Sequence, residues 1–377
     1  MFFKCVYISN TYPNSLMEFE YSSSSSDESP VTRLCDLNPN AMPEQHLQRG
    51  SDWVAIFNPE IPNALGIELL GTLDHASIVC CVRFSHDASY LATGCDRTAQ
   101  IYDTATAQKI STFPHSSEAV YDTMYIRALC FSPDAKYLAT GAEDKLIRIW
   151  DLATKSIVHI FQGHAADIYS LEFSSDGRSL VSGAADHTVQ FWDMTTYRSL
   201  FSFKSNLPHT GITTVALSPD GTRVAAGSLD SLVRVWDVRQ GHLLGELRGH
   251  LAIVYSIAFS TDGNTLFSAS LDKTIKQWCL QTLGHATDVQ CIQTLRGHKD
   301  FVLAVACSPC GKWMASGSKD SSVQFWDPVS GQQKMVLRGH PNSILSVSFS
   351  STRDLFATGS GDCRARVWRY CDPQKID

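Results

Sequence analysis

The sequence predicts an all-β protein, a seven-bladed β-propeller, on three observations. The first is a repeat of fixed length. From Gly163-His164 to Trp192-Asp193, His to Trp is 28 residues, and the same interval separates His250 from Trp278, His298 from Trp326 and His340 from Trp368. The second is a pair of polar landmarks in step with it. Ser182, Ser268, Ser316 and Thr358 follow their His by 18 residues, and Asp186, Asp272, Asp320 and Asp362 by 22. A period of about 40–45 residues with these signatures marks one four-stranded blade per repeat. The third is the count, which three further units bring to seven, each with a departure. The first unit runs His75, Thr93, Asp96, Tyr102, one residue short before the Asp and with Tyr for Trp. The second lacks Gly-His but keeps Thr140, Asp144, Trp150 and Asp151; the fourth has His209, Ala226 where a hydroxyl is expected, then Asp230, Trp236 and Asp237.

Residues 1–33 form a low-complexity tail, expected to be disordered. Ser22–Ser26 followed by Asp27-Glu28-Ser29-Pro30 is polar and acidic, and cannot bury enough surface to offset ordering entropy. The propeller is expected over 34–371, with 34–66 as an extension packed on its flank or underside, because Trp53, Val54, Ile56 and Phe57 cluster between turn residues. Residues 372–377 are a C-terminal tail. Gly66–Leu73 matches the outer-strand segments that precede later Gly-His pairs but has no blade before it. It is therefore predicted to pair with the last blade beside Ala365–Tyr370, which closes the ring and removes a sheet edge. Within a repeat, Ile168–Ser174 reads as the inner strand, Asp176-Gly177 as a hairpin turn, Ser179–Ser182 and Thr188–Trp192 as the next two strands. Thr112–Met124 and Gln281–Gln293 read as inserted loops of blades 2 and 5. Leu283-Gly284-His285 is no repeat start, since Leu303 and Cys307 stand where Ser and Asp belong.

Composition narrows the function. A net charge of −7 and the absence of a Lys/Arg run leave no footprint for phosphate binding, so no direct nucleic-acid contact is expected. No apolar stretch approaches the roughly 20 residues that span a bilayer, and Asn10, Pro13 and Asn14 interrupt any signal-peptide core. The twelve cysteines include several at strand positions (Cys80, Cys81, Cys130, Cys307) and read as reduced. Cys307-Ser308-Pro309-Cys310 lacks both a helix N-terminus and a second Cys pair; it replaces a Ser-Pro-Asp-Gly hairpin turn like Ser218–Gly221. No metal site and no cofactor are expected.

The His, Ser/Thr, Asp and Trp of each repeat have the residue types of a catalytic triad, but catalysis does not require the set to recur around a ring. They read as a buried relay: Asp holds the His, the other His nitrogen meets the hydroxyl, and the hydroxyl accepts from the indole N–H. Deleting a member strands a buried polar group at about 1–3 kcal/mol. Its members are His75, Thr93 and Asp96; His164, Ser182, Asp186 and Trp192; His250, Ser268, Asp272 and Trp278; His298, Ser316, Asp320 and Trp326; His340, Thr358, Asp362 and Trp368. Function is expected at the mouth of the central channel, where inner strands begin and where the residue before each repeat Asp points. The first set gives Cys80, Arg127, Tyr169, Tyr255, Phe301, Leu303, Asn342, Ser343 and Leu345; the second gives Glu143, Leu229, Leu271 and Lys319. Tyr169, Tyr255, Leu229, Leu271, Phe301 and Leu303 would make an apolar patch on a surface otherwise polar, the mark of a protein-binding site.

Several stretches are more specific than the repeat: Leu73-Asp74-His75, Cys80–Ser85, Leu91–Cys95, Tyr125-Ile126-Arg127, Ala142-Glu143-Asp144, Gly297–Leu303 and Ala357–Cys363. On these the chain, over roughly 34–371, resembles a WD-repeat propeller of the fungal Tup type, the general transcriptional corepressors related to Groucho. The resemblance implies a nuclear protein whose top face docks peptides of DNA-binding transcriptional repressors; other corepressor subunits or histones are further candidate partners. The family's N-terminal helical region, which forms a tetramer and recruits a tetratricopeptide-containing partner, has no counterpart in 1–33. A fragment, a short paralogue or an incomplete gene model would explain that, and this chain alone is expected to be monomeric. The alternatives are a propeller adaptor of another complex, such as a ubiquitin-ligase substrate receptor, which would carry an adaptor helix, and an enzyme housed in the channel, which would need convergent, non-repeating acids or a metal set.

Overall fold

Seven antiparallel sheets, six of four strands and one of six, carry the seven repeats. They are seen in a computed structural model that describes residues 33–61, 65–115, 124–204, 210–281, 283 and 289–371. The low-complexity tail up to residue 32 and the C-terminal 372–377 lie outside the described residues, as do 282 and 284–288 with His285. Blade 3 is representative. Its inner strand Ile168–Phe173 pairs with Ser179–Ala184, then Thr188–Asp193, then the outer strand Arg198–Lys204.

The hairpin after each inner strand is built by one local device. In blade 3, Ser174 Oγ donates to Asp176 Oδ1 at 2.6 Å and accepts from Ser179 N, while Gly177 takes a left-handed φ of 70°. Ser85/Asp87, Ser132/Asp134, Ser218/Asp220 and Ser260/Asp262 repeat it. In blade 6 Cys310 stands in the Asp position, 3.3 Å from Ser308 Oγ, with Gly311 at φ 69°. The C-x-x-C is thus a turn, and all eleven cysteines among the described residues are free.

Blades pack face to face on the repeat Trp and on aliphatic side chains of the two middle strands. A Cβ on Gly163 would stand 2.9 Å from Trp192, and on Gly297 and Gly339 only 2.7 Å from Trp326 and Trp368. The glycine of Gly-His is therefore set by the indole that lies against it. Hydroxyls lace the inner strands to one another: Ser170 Oγ accepts from Val215 N, Ser256 Oγ from Val305 N, and Ser346 Oγ from Val82 N across the junction of first and last blades.

The N-terminal segment joins the ring in two ways. Strands β1 (Leu47–Arg49) and β2 (Val54–Phe57) extend blade 6 outward, Val54 opposite Arg338 and Phe57 opposite Met335. The extension thus joins the flank edge-on. Strand β3 (Gly66–Asp74) then pairs with Arg364–Cys371, Ile67 opposite Tyr370 and Leu73 opposite Ala365, as its likeness to the outer strands predicts. Leu34, Cys35, Ile56 and Val336 form a small core over the extended edge. Cys35 Sγ donates to Gly297 O, Arg338 donates to Cys35 O, and Trp53 meets Trp368 edge-on at 5.7 Å. Beside that contact, Asp52 pairs with the buried guanidinium of Arg366.

Two loop assignments need correction. Thr112–Met124 is not a loop from its start: Thr112, Phe113 and Pro114 complete the outer strand Lys109–Pro114 and Phe113 is buried. Cys291–Gln293, placed in the second insertion, likewise belong to the outer strand Cys291–Arg296. Both stretches pair with the third strand of their blade across the same bulge that the other blades carry, so each belongs to the regular repeat. Residues 116–123, 282 and 284–288 of these two insertions lie outside the described residues.

Asp52→Asn leaves a buried Arg366 without its counter-charge while Asp52 itself is half exposed. It is expected to lower stability by about 1–3 kcal/mol, read as a lower urea midpoint with the slope unchanged.

Candidate functional site

The relay residues meet in four blades with nearly the same geometry. In blade 3, His164 Nδ1 lies 2.9 Å from Asp186 Oδ2 and Nε2 lies 2.6 Å from Ser182 Oγ, which accepts from Trp192 Nε1 at 2.8 Å. His250, Asp272, Ser268 and Trp278 repeat this in blade 5. His298, Asp320, Ser316 and Trp326 do so in blade 6, and His340, Asp362, Thr358 and Trp368 in blade 7. The Asp does more than orient the ring. Asp186 Oδ2 also accepts from Ala165 N, and its Oδ1 accepts from Thr188 Oγ1. Ser182 is 0% exposed, and its hydroxyl already serves two partners, so no substrate reaches this triad-like set.

Blades 1, 2 and 4 depart from it. In blade 1, His75 Nε2 meets Thr93 Oγ1 at 2.9 Å and Tyr102 OH at 3.2 Å, but Nδ1 turns to Leu73 O. Asp96, assigned to this relay from the sequence, does not hold His75. Its turn is one residue short, and its Oδ1 accepts from Met124 N at the entry to blade 2. Blade 2 does possess a relay His, which the sequence pattern hid. His115, without a preceding glycine, lies 2.9 Å from Thr140 Oγ1, to which Trp150 donates. Arg148 stands between His115 and Asp144, bonding both. In blade 4 His209 lies outside the described residues and Ala226 removes the hydroxyl; Arg234 bonds Asp230, Ser228 and Glu246. A buried arginine spans the gap where a relay member is missing or out of reach.

A recurring backbone bond puts the two predicted sets of rim residues side by side. In blades 2 to 7 the residue before the repeat Asp, or before its equivalent, donates its N–H to a carbonyl just ahead of the inner strand; in blade 1 Cys95 bonds Thr98 O instead. Glu143 bonds Tyr125 O, Leu229 bonds Gly211 O, Leu271 bonds Ile253 O and Lys319 bonds Phe301 O. Ala185 to Asp167 and Gly361 to Ser343 follow the same rule. The relay Asp that follows is anchored below, so the rim position inherits its placement.

Within this ring the structure joins particular residues. Arg127 Nε and Nη2 both donate to Glu143 Oε1, Glu143 Oε2 accepts from Tyr125 N, and the guanidinium lies 5.1 Å from the Tyr125 ring centre. Burial works against the Arg127 charge, but Cys80, Glu143 and Tyr255 outweigh it and hold the group firmly protonated. Burial raises the Asp167 carboxyl and the Tyr169 phenol, Glu143 adding to the first and Asp167 to the second, with Arg127 opposing both. Arg127 is thus the charge common to Glu143, Asp167 and Tyr169. Elsewhere Lys319 Nζ lies 4.8 Å from the Phe301 ring centre and 3.7 Å from Asp300. Asn342 caps the turn at Ser343 N and bonds Gly361 O. Leu229, Leu271, Phe301 and Leu345 are part-buried.

One predicted member does not belong to the surface. Leu303 is 2% exposed, on an inner strand that packs between those of blades 5 and 7 and whose residues from Val302 to Ala306 are all buried. Leu345, at the equivalent place in blade 7, stays part-buried, so the difference lies in the neighbours and not in the side-chain type. Conversely, Leu251 is 72% exposed, held on the turn after His250 by its N–H bond to Asp272. Sequence reasoning missed it, although its place directly after the relay His, shared with Ala165 and Lys299, was a usable signal. No cluster of three or more metal-ligating side chains occurs among the described residues.

The repeat family described as WD domain, G-beta repeat, matches residues 67–103, 108–151, 155–193, 199–237, 241–279, 289–327 and 331–369. Each match begins in one blade's outer strand and ends in the third strand of the next. Among curated proteins, the chain is similar to the transcriptional repressor rco-1 of Neurospora crassa, 49% identical over 38% of this chain and 24% of that protein. It is similar to the general transcriptional corepressor tupA of Dictyostelium discoideum, 52% identical over 33% and 22%. It is similar, too, to the general transcriptional corepressor TUP1 of Saccharomyces cerevisiae, 39% identical over 37% and 27%. The matched part spans about a quarter of the length of these relatives.

Two outcomes follow from this geometry. Burial lowers His75 from 6.5 to about 4, against the pull of Leu73 O, and lowers His115 to about 3, with Arg148 adding to the effect. Both take up a proton more readily in the unfolded chain. Their contribution is therefore complete above pH 6.5 and lost as pH falls toward those values. Asp186 and Asp272 add a later loss. Burial opposes their charge but is outweighed by His164 and His250, so both sit at about 2 instead of 3.8 and their contribution disappears between those values. The urea midpoint is expected to decline from pH 7 to 5, and to decline less steeply in a His75→Gln, His115→Gln variant; equal slopes would contradict the assignment. Separately, Leu303→Ala is expected to cost about 2–4 kcal/mol, whereas Leu251→Ala stays within about 0.5 kcal/mol, both measured by chemical denaturation.

Proposed function

The chain belongs to the WD-repeat family, and from that premise we propose that it is a transcriptional corepressor scaffold whose channel mouth takes peptide segments of DNA-binding repressors. The corepressor role is supported by the curated relatives, whose WD-repeat regions this chain resembles and whose names describe transcriptional repression. The mouth as the site is supported chiefly by one observation: the repeated backbone bond that sets Glu143, Leu229, Leu271 and Lys319 beside the inner-strand starts. Part-buried apolar groups, two tyrosines and the Arg127–Glu143 pair stand at or beside those starts, and Leu251 projects from the turn after a relay His. Aromatic and arginine anchors in such a setting supply most of an interface's binding energy.

Repressors, not DNA, are the proposed partners. A net charge of −7 and no basic run give the chain little attraction for phosphates. Nuclear residence follows from that role, and other corepressor subunits or histones would join through the same scaffold. No catalytic step is assigned, since the triad-like residues are consumed by the relay.

The test is affinity capture from nuclear extract on the full chain, with captured proteins identified by mass spectrometry. DNA-binding repressors are expected on the wild type and are expected to be depleted about tenfold on Tyr255→Ala and on Leu251→Ser. Leu251→Ser is too exposed to unfold the ring, so its loss of binding isolates the mouth. Capture of ubiquitin-ligase subunits in place of repressors, or retention by both variants, would overturn the reading.

A further inference from the structure

The outer edges of the blades are not treated alike. In blade 6 the outer strand Gln333–Arg338 is covered by β2, and Met335, Val336 and Leu337 are 0%, 0% and 1% exposed. In blade 3 the outer strand Arg198–Lys204 is the last strand of its sheet. Registers make the two comparable: Met335 pairs with Phe325 and Leu337 with Val323, while Phe201 pairs with Phe191 and Phe203 with Val189. Phe201 therefore occupies the position of Met335, yet it is 36% exposed, with Leu200 beside it at 48%. A row of free backbone groups carrying exposed apolar side chains is a template for one more strand.

The surroundings give that strand its chemistry. Phe201 stacks on Phe191 at 4.5 Å between ring centres, and Phe203 stacks on Trp236 of blade 4 at 5.4 Å. The apolar middle of the edge is thus rigid and continuous with the core. Its two ends are exposed cations, Arg198 and Lys204; residues 194–204 contain no Asp or Glu, and Asp193, opposite Arg198 in the ladder, is committed to the N–H groups of Thr195 and Thr196. In a chain of net charge −7, this is a locally basic edge.

We propose that the outer edge of blade 3 is a second docking surface, which adds an extended segment of another protein as a fifth strand, apolar in its middle and acidic at both ends. It lies on the flank and not at the channel mouth, so it goes beyond the repressor-docking reading and does not rest on it. The covering of blade 6 by Val54–Phe57 is the in-chain precedent for the geometry. Acidic ends set the partner segment apart from that internal strand.

The probe is a fluorescent peptide, Asp-Val-Ala-Ile-Phe-Asp, which keeps the residues of β2 between two aspartates, titrated with the full chain and followed by anisotropy. Saturable binding is expected below about 1 mM, weakened about tenfold by Arg198→Glu with Lys204→Glu, both exposed enough to leave the melting temperature unchanged. A peptide N-methylated at alternate amides is expected not to bind, because it cannot pair with the edge. Lack of saturation, equal binding by the charge-reversed protein, or equal binding of the N-methylated peptide would each overturn the proposal. So would sedimentation showing that the chain pairs with a second copy of itself through this edge and excludes the peptide.

Discussion

The hydrogen-bonded chain from Trp to Ser/Thr to His to Asp governs more of this structure than its size suggests. The indole comes from a blade's third strand, the hydroxyl from its second, the Asp from the turn between them, and the His from the link arriving from the previous blade. Four pieces of chain that hydrophobic packing alone would leave free to slide are thereby held to one register. Every polar atom in the chain finds a partner, the condition under which a buried network specifies a structure instead of weakening it. The glycine before the His follows from the same requirement, since the indole edge must lie flat against the backbone there.

The mouth of the channel depends on that network without sharing in it. In blades 3, 5 and 6 the relay Asp accepts the N–H of the residue after the His, and the residue before the Asp bonds to the entry of the inner strand. Side chains at these two positions are positioned from below and free to vary above. One scaffold can therefore display an exposed Leu251 in blade 5, an Arg127–Glu143 pair in blade 2 and a Lys319–Phe301 contact in blade 6. Variety at the mouth of such a ring is a matter of substitution at anchored points, with no need to rebuild loops.

How much of this was legible in the sequence varied with the physics behind each feature. Fixed spacings between His, Ser, Asp and Trp reported strand lengths and registers, so the seven blades and the closing role of Gly66–Asp74 could be read directly. His115 could not, because Pro114 replaces the glycine that marks the relay His elsewhere, although Thr140 and Arg148 both bond it and Trp150 donates to that same threonine. Asp96 was misassigned for the opposite reason: the residue type was right, but one missing residue turned its carboxylate toward Met124. Leu303 shows the limit of reading exposure from position, for alternation places a side chain on a face but cannot say whether neighbouring strands close over it.

The N-terminal segment ties these threads together. In blade 7 the arginine at the position of Arg148 and Arg234 is Arg366, and its blade already possesses a complete relay of His340, Thr358 and Asp362. An arginine buried to 1% there has no repeat carboxylate to pair with, and it is met by Asp52 from outside the propeller. The same segment places Trp53 on Trp368 and Cys35 on the carbonyl of Gly297, and Asp36 pairs with Lys299 at the turn after the blade 6 relay His. A segment that neutralises one buried charge thus also reaches the turn that carries rim residues. One segment thus meets both the buried charge of blade 7 and the exposed lysine that follows the blade 6 relay His, while the strand after it closes the ring on blade 7.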